Sequence, residues 1–128
     1  MDIQSKIILI SGPTASGKTN FAIKLAKKFK GEIINADSMQ VYKEYKALTA
    51  RPSLKDQKKI KHHLFGFLSI KKKFSTGQWL KLAFKKIKLI KKKNKIPILV
   101  GGTGLYFKAL VDGLVAIPKI SIKKRKEI

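Results

Sequence analysis

Residues 12–19, Gly-Pro-Thr-Ala-Ser-Gly-Lys-Thr, separate two glycines by four residues and follow the second with lysine and threonine. That is the phosphate-loop spacing G-x-x-x-x-G-K-[ST]. Glycine lets the backbone turn so that several N–H groups converge on one anion, the Lys18 ammonium adds a point charge, and the Thr19 hydroxyl is a ligand for Mg²⁺. The flanks suit the motif. Residues 6–10 (KIILI) are a nearly unbroken apolar run of the kind that forms a buried parallel strand, and residues 18–29 have helical periodicity with Phe21, Leu25 and Phe29 on one side. Strand, glycine loop and helix therefore follow in the order that a phosphate cradle needs. The expected diphosphate- or nucleotide-binding set is Gly12, Pro13, Thr14, Ala15, Ser16, Gly17, Lys18 and Thr19.

Further strands and helices alternate along the chain. Residues 31–36 (GEIINA) read as a second buried strand ending at Asp37, and residues 53–60 as a short helix capped by Ser53. HHLFGFLS (62–69) reads as a short edge strand. A strong helix is expected from Ser75 or Thr76 to about Asn94, with Trp79, Ala83, Ile87 and Ile90 on one face and Lys81, Lys85, Lys88 and Lys92 on the other. KIPILVGG (95–102) reads as a third buried strand, followed by a helix over about 103–114. This alternation predicts an α/β fold, a parallel sheet with helices on both faces in three layers. Residues 1–117 form the expected catalytic core, and the charged tail 118–128 reads as a linker or the start of a further portion.

Composition narrows the functional classes. With 128 residues the chain is one domain, small for an α/β enzyme that must close over two substrates. Cysteine is absent, which excludes disulfides and thiolate metal sites. No run approaches the ~18 apolar residues of a membrane helix, so a soluble, cytoplasmic protein without a membrane partner is expected. The net charge of +23, from 30 basic and 7 acidic residues, invites a polyanionic partner. Yet Arg51 and Arg125 are the only arginines, and a lysine excess spread along the chain does not by itself mark a binding footprint.

In a parallel sheet, ligands bind beyond the carboxyl ends of the strands. Three segments fall there: the phosphate loop, ADSMQVY after the second strand and GGTGLY after the third. Of the seven acidic residues, Asp2, Glu32, Glu44, Asp56, Asp112 and Glu127 fall at termini, strand starts or helix surfaces in this layout, leaving Asp37 at a strand end facing the loop. A carboxylate there can act as a general base, hold Mg²⁺ through water, or cap a following helix. The third strand ends in Gly101 and Gly102 instead of the metal-binding aspartate of a nucleotide-hydrolysing machine; its glycines are read as allowing a substrate close to the backbone. His62 and His63 point to opposite strand faces, and structural or hydrogen-bonding roles are expected for them.

Taken together, GPTASGKT, NADSMQVY, LTARPS, HHL and IPILVGGTGLYFKAL, in this order and spacing, resemble the N-terminal half of the tRNA dimethylallyltransferase (tRNA isopentenyltransferase) family over nearly the whole chain. The resemblance implies a phosphate-loop NTPase-like fold, incomplete relative to the family. The implied activity is transfer of a dimethylallyl group from dimethylallyl diphosphate to N6 of the adenine beside the anticodon of tRNA. Catalytic roles are thereby implied for Asp37, as the base, and for Lys18 and Thr19, with Mg²⁺ on Thr19. It also implies tRNA contacts from Asp37, Ser38, Met39, Gln40, Thr103 and Arg125, and a monomer acting on the anticodon stem-loop. Two departures are visible: Leu48–Thr49 stand where a Gly-Thr pair is usual, and ISIKKR replaces a DPxVR-like tail, so Arg125 aligns by the arginine alone. From the residues themselves two other readings stay open, a small-molecule kinase of the shikimate or gluconate type and a truncated RNA-binding remnant.

Overall fold

The computed structural model describes residues 6–12, 17–38, 40–42, 60–69, 71–102, 104–115 and 121–126. The helix expected from Ser53 falls outside them. Among the described residues eight elements follow in chain order: β1 (Lys6–Ser11), α1 (Lys18–Phe29), β2 (Gly31–Asn35), β3 (His62–His63), α2 (Thr76–Lys92), β4 (Ile96–Gly101), α3 (Leu105–Val115) and β5 (Ser121–Lys126). The strands form one parallel sheet in the order β3-β2-β4-β1-β5. All carboxyl ends therefore lie along one edge.

Helices cover both faces of this sheet, and alternate residues of each strand feed two separate cores. Ile8, Ile10, Ile33, Ile98 and Val100 pack toward α1, while Ile7, Leu9, Ile34 and Leu99 pack toward α2 and α3. The α1 face differs from the expected one. Ala22, Ile23 and Ala26 are its buried residues, Phe21 and Leu25 pack at the margin, and Phe29 is 37% exposed. Small side chains let the helix lie close to the strands, so the aromatics that dominate the periodicity are pushed to the border. α2 matches its expected pattern: Trp79, Ala83, Ile87 and Ile90 are buried, and Lys81, Lys85, Lys88 and Lys92 are exposed. Its start is fixed by a reciprocal cap, in which the Gln78 N–H donates to Ser75 Oγ (3.1 Å) and the Ser75 N–H donates to Gln78 Oε1 (2.8 Å).

The tail contributes more than a linker. Residues 121–126 run along β1, Ile122 opposite Ile7 and Arg125 opposite Ile10. At the other margin HHLFGFLS supplies only the two-residue β3, because Leu64 turns into the left-handed region (φ 66°) and ends the pairing.

Glu32, assigned from sequence to a strand start, is 1% exposed in the α2 face. It accepts from His63 Nε2 (2.7 Å) and Lys93 Nζ (2.6 Å), with Lys95 Nζ at 3.3 Å. Burial alone would raise its pKa; the bonds from Lys93, His63 and Lys95 outweigh that and hold it at about 2. The His63 pKa is lowered, first by burial, against the pull of Glu32. Both groups thus take up protons more readily when unfolded. The His63 contribution to stability is present above its usual value of 6.5, and that of Glu32 above 4.5, each lost as pH falls toward the folded value.

Two outcomes follow from this packing. Urea midpoints measured from pH 7 to 3 should begin to fall below about pH 6.5 and fall more steeply below 4.5, with roughly 2–3 kcal/mol lost through Glu32; Glu32→Gln should be less stable at pH 7 and should flatten the lower limb. Gly101→Ala should cost about 1–3 kcal/mol in the same measurement, because an added Cβ at Gly101 would collide with the Ala36 carbonyl.

Candidate active site

The carboxyl edge of β1 opens into the phosphate loop, of which Gly12, Gly17, Lys18 and Thr19 lie among the described residues and Pro13, Thr14, Ala15 and Ser16 outside them. Gly17 stands at the α1 N-cap with φ 83°. Its requirement is conformational, since nothing within 4 Å would oppose a Cβ there. The Gly12 N–H donates to the Gly101 carbonyl (3.3 Å), tying the loop to the end of β4.

Lys18 is 5% exposed and donates from Nζ to the Gly12 carbonyl (2.9 Å). The ammonium is thus folded back against its own loop. Burial lowers its pKa, and the negative charge of Asp37 works in the opposite direction. This opposition puts the base candidate and the cradle lysine in one electrostatic neighbourhood, although they start from different strands. Thr19 is half-buried at the first turn of α1.

Asp37 follows β2 by two residues and is half-buried. Its N–H donates to Asn35 Oδ1 (2.8 Å), and its carbonyl accepts from Asn35 Nδ2 (3.0 Å) and from the Gln40 N–H (3.2 Å). Its carboxylate accepts from Gln40 Nε2 (3.4 Å). Residues 40–42 continue as a turn, so Asp37 caps no helix among the described residues. Ser38 is exposed, whereas Gln40 is 3% exposed, a side chain set into the rim more than displayed on it.

Between α1 and the β3 margin lies an open cleft. Lys18 and Thr19 form one wall, Ile33 and Val100 lie at its sheet side, and Gln40, His62 and Phe65 close it opposite. The two histidines do diverge: His62 meets Phe65 edge-on (5.6 Å) in this cleft, and His63 turns to Glu32 behind the sheet.

Behind Asp37 the support is aromatic. Trp79 is fully buried, donates its indole N–H to the Asn35 carbonyl (2.8 Å) and stacks on Tyr106 (4.4 Å between centroids). The Tyr106 hydroxyl is pushed up to about 12 by burial, with Tyr42 and the Asp37 charge adding to it. At 6% exposure Tyr106 belongs to the core. Gly101 also differs from its reading: the backbone it admits is that of Ala36 on the neighbouring strand, and Gly102 has room for a Cβ 3.9 Å from the Gly12 carbonyl.

Of the remaining expected contacts, Met39 and Thr103 lie outside the described residues. The backbone of Arg125 is in β5 near the carboxyl edge. Sequence reasoning missed Asn35; an amide two residues before a strand-end aspartate is the local signal that could have found it. No helix among the described residues is long and apolar enough to cross a membrane.

Known proteins resemble the chain closely. The tRNA dimethylallyltransferase of Pelagibacter ubique is 70% identical over all 128 residues, which cover 41% of that relative. That of Parvibaculum lavamentivorans is 50% identical over 115 residues, 90% of this chain and 37% of the relative. The chain therefore spans about two fifths of the length of these relatives. Among solved structures, the full-length tRNA isopentenylpyrophosphate transferase of Bacillus halodurans superposes with a TM-score of 0.79 at 38% identity, over 85% of this chain and 36% of the other. A eukaryotic dimethylallyltransferase acting on tRNA gives 0.77 at 38% identity, over 83% of this chain and 26% of the other. The parallel sheet and the helices on its faces are thus those of the phosphate-loop NTPase-like fold of these enzymes. The IPP transferase family model matches residues 40–128, more than half of the chain, and the chain belongs to that family.

Proposed function

We propose that these residues are the donor-binding and proton-accepting part of a tRNA dimethylallyltransferase. The observation that carries this reading is that the loop holding Lys18 and the turn holding Asp37 leave the carboxyl ends of β1 and β2, both hydrogen-bonded to the end of β4 between them, a cation in an anion cradle and a carboxylate on the same rim. Support also comes from the relatives, named tRNA dimethylallyltransferases, and from the structural neighbour described as acting on tRNA.

The chemistry assigns each group one task. The lone pair of the adenine N6 attacks the allylic C1 of dimethylallyl diphosphate, a C–N bond forms, and the C1–O bond breaks with its electrons passing to diphosphate. Lys18 and the loop amides receive the charge that develops on that leaving group. Asp37 takes the proton released from N6. Thr19 and Asp37 offer hard oxygen donors of the kind Mg²⁺ prefers, and both lie on the rim with Lys18. Mg²⁺ held there would add positive charge beside the diphosphate. Ser38, exposed next to Asp37, together with Met39, Gln40, Thr103 and Arg125, is assigned to the tRNA side of the rim. The adenine must leave its stack to reach Asp37, as in other base-modifying enzymes.

Two substitutions test the assignments in the complete natural polypeptide that carries these residues. Lys18→Ala should weaken diphosphate binding by calorimetry at least ~10-fold, the loss of a charge-assisted contact. Asp37→Ala should leave that binding intact and lower transfer of labelled dimethylallyl to unmodified tRNA by roughly 10²–10⁴-fold. Undiminished transfer would refute the base. Label passing from ATP to a small alcohol instead would favour the kinase reading.

A further inference from the structure

We infer that Asn35 is a positioning residue for Asp37, setting the direction of the proton-accepting carboxylate without touching substrate. The inference rests on the reading of Asp37 as the base. Asn35 is 0% exposed, and its amide makes three bonds, two to Asp37 just beyond β2 and one to Leu64 just beyond β3. Oδ1 accepts from the Asp37 N–H (2.8 Å), and Nδ2 donates to the Asp37 carbonyl (3.0 Å) and to the Leu64 carbonyl (3.0 Å). Both peptide groups flanking the Asp37 Cα are thereby clamped, and a side chain leaves its backbone in a direction those peptides determine.

The clamp is itself immobilised. Asn35 pairs with Val100 in the sheet, and its carbonyl holds the Trp79 indole at 2.8 Å. The Leu64 carbonyl belongs to the left-handed turn after β3, so the same amide fixes the neighbouring wall that carries His62 and Phe65. Only an amide satisfies all three partners. Aspartate can accept from the Asp37 N–H but offers no proton to the two carbonyls, and serine has one hydroxyl where two donated protons are needed. Gln40 cannot replace the clamp: its N–H (3.2 Å) shares the Asp37 carbonyl with Asn35 Nδ2, its side chain reaches the carboxylate at 3.4 Å, and neither bond holds the Asp37 N–H, which Asn35 Oδ1 accepts.

The test compares Asn35→Ser and Asn35→Asp, each with Asp37 intact and in an Asp37→Ala background, in the complete natural polypeptide. With Asp37 present, kcat for dimethylallyl transfer should fall roughly 10- to 100-fold, the scale of a misplaced catalytic group, while KM for dimethylallyl diphosphate stays within about twofold. Asn35→Ser, which keeps an acceptor and one donor, should retain more activity than Asn35→Asp. In the Asp37→Ala background the same changes should alter the residual rate by less than about twofold, because a positioning residue has nothing left to position. Equal losses in both backgrounds would overturn the inference, as would loss of calorimetric diphosphate binding along with transfer in both variants, which would assign Asn35 to the fold alone. Full transfer by Asp37→Ala alone would instead sink the base reading, and this inference with it.

Discussion

The ends of β2 and β4 meet backbone to backbone, Gly101 against Ala36, and the geometry of the rim depends on that contact. β4 lies between β1 and β2, so the phosphate loop and the Asp37 turn start two strand spacings apart, about 10 Å. That gap suits two reacting groups placed side by side. The Ala36 N–H donates to the Val100 carbonyl at 2.8 Å and the Gly12 N–H to the Gly101 carbonyl at 3.3 Å, so both neighbours are sewn to the same strand end. A side chain at position 101 would push the two halves of the site apart.

What lies at this edge was largely legible in the sequence, because its signals are local. Gly12, Gly17, Lys18 and Thr19 carry their own spacing, and Asp37 stands out once the strands are ordered. The features that escaped depend on residues distant in the chain. Nothing near Glu32 announces that His63 and Lys93 converge on it, so its place at a strand start is legible and its burial is not. The α1 face was misjudged for a related reason: periodicity weighs Phe21, Leu25 and Phe29 by size, whereas close helix-to-sheet approach selects Ala22 and Ala26. The tail was read by charge as a linker or the start of a further portion; the strand at 121–126 was not legible because a parallel edge strand needs only backbone partners, which β1 supplies.

The lysine excess has a divided account. Lys81, Lys85, Lys88 and Lys92 face solvent along α2, on the side opposite its core contacts. Lys93 and Lys95 neutralise Glu32, and Lys18 is held in the loop. The solvent-facing lysines of α2 supply a diffuse positive field that attracts polyanions without reading their sequence.

The lone tryptophan gives this architecture an optical consequence. Trp79 is sealed from water, stacked on Tyr106 and bonded to the carbonyl of the residue whose amide clamps Asp37. Its fluorescence therefore originates from one indole bonded directly to the residue that clamps Asp37. A blue emission maximum that moves to the red reports water entering at that spot, so the intrinsic spectrum follows the integrity of the rim without any attached dye.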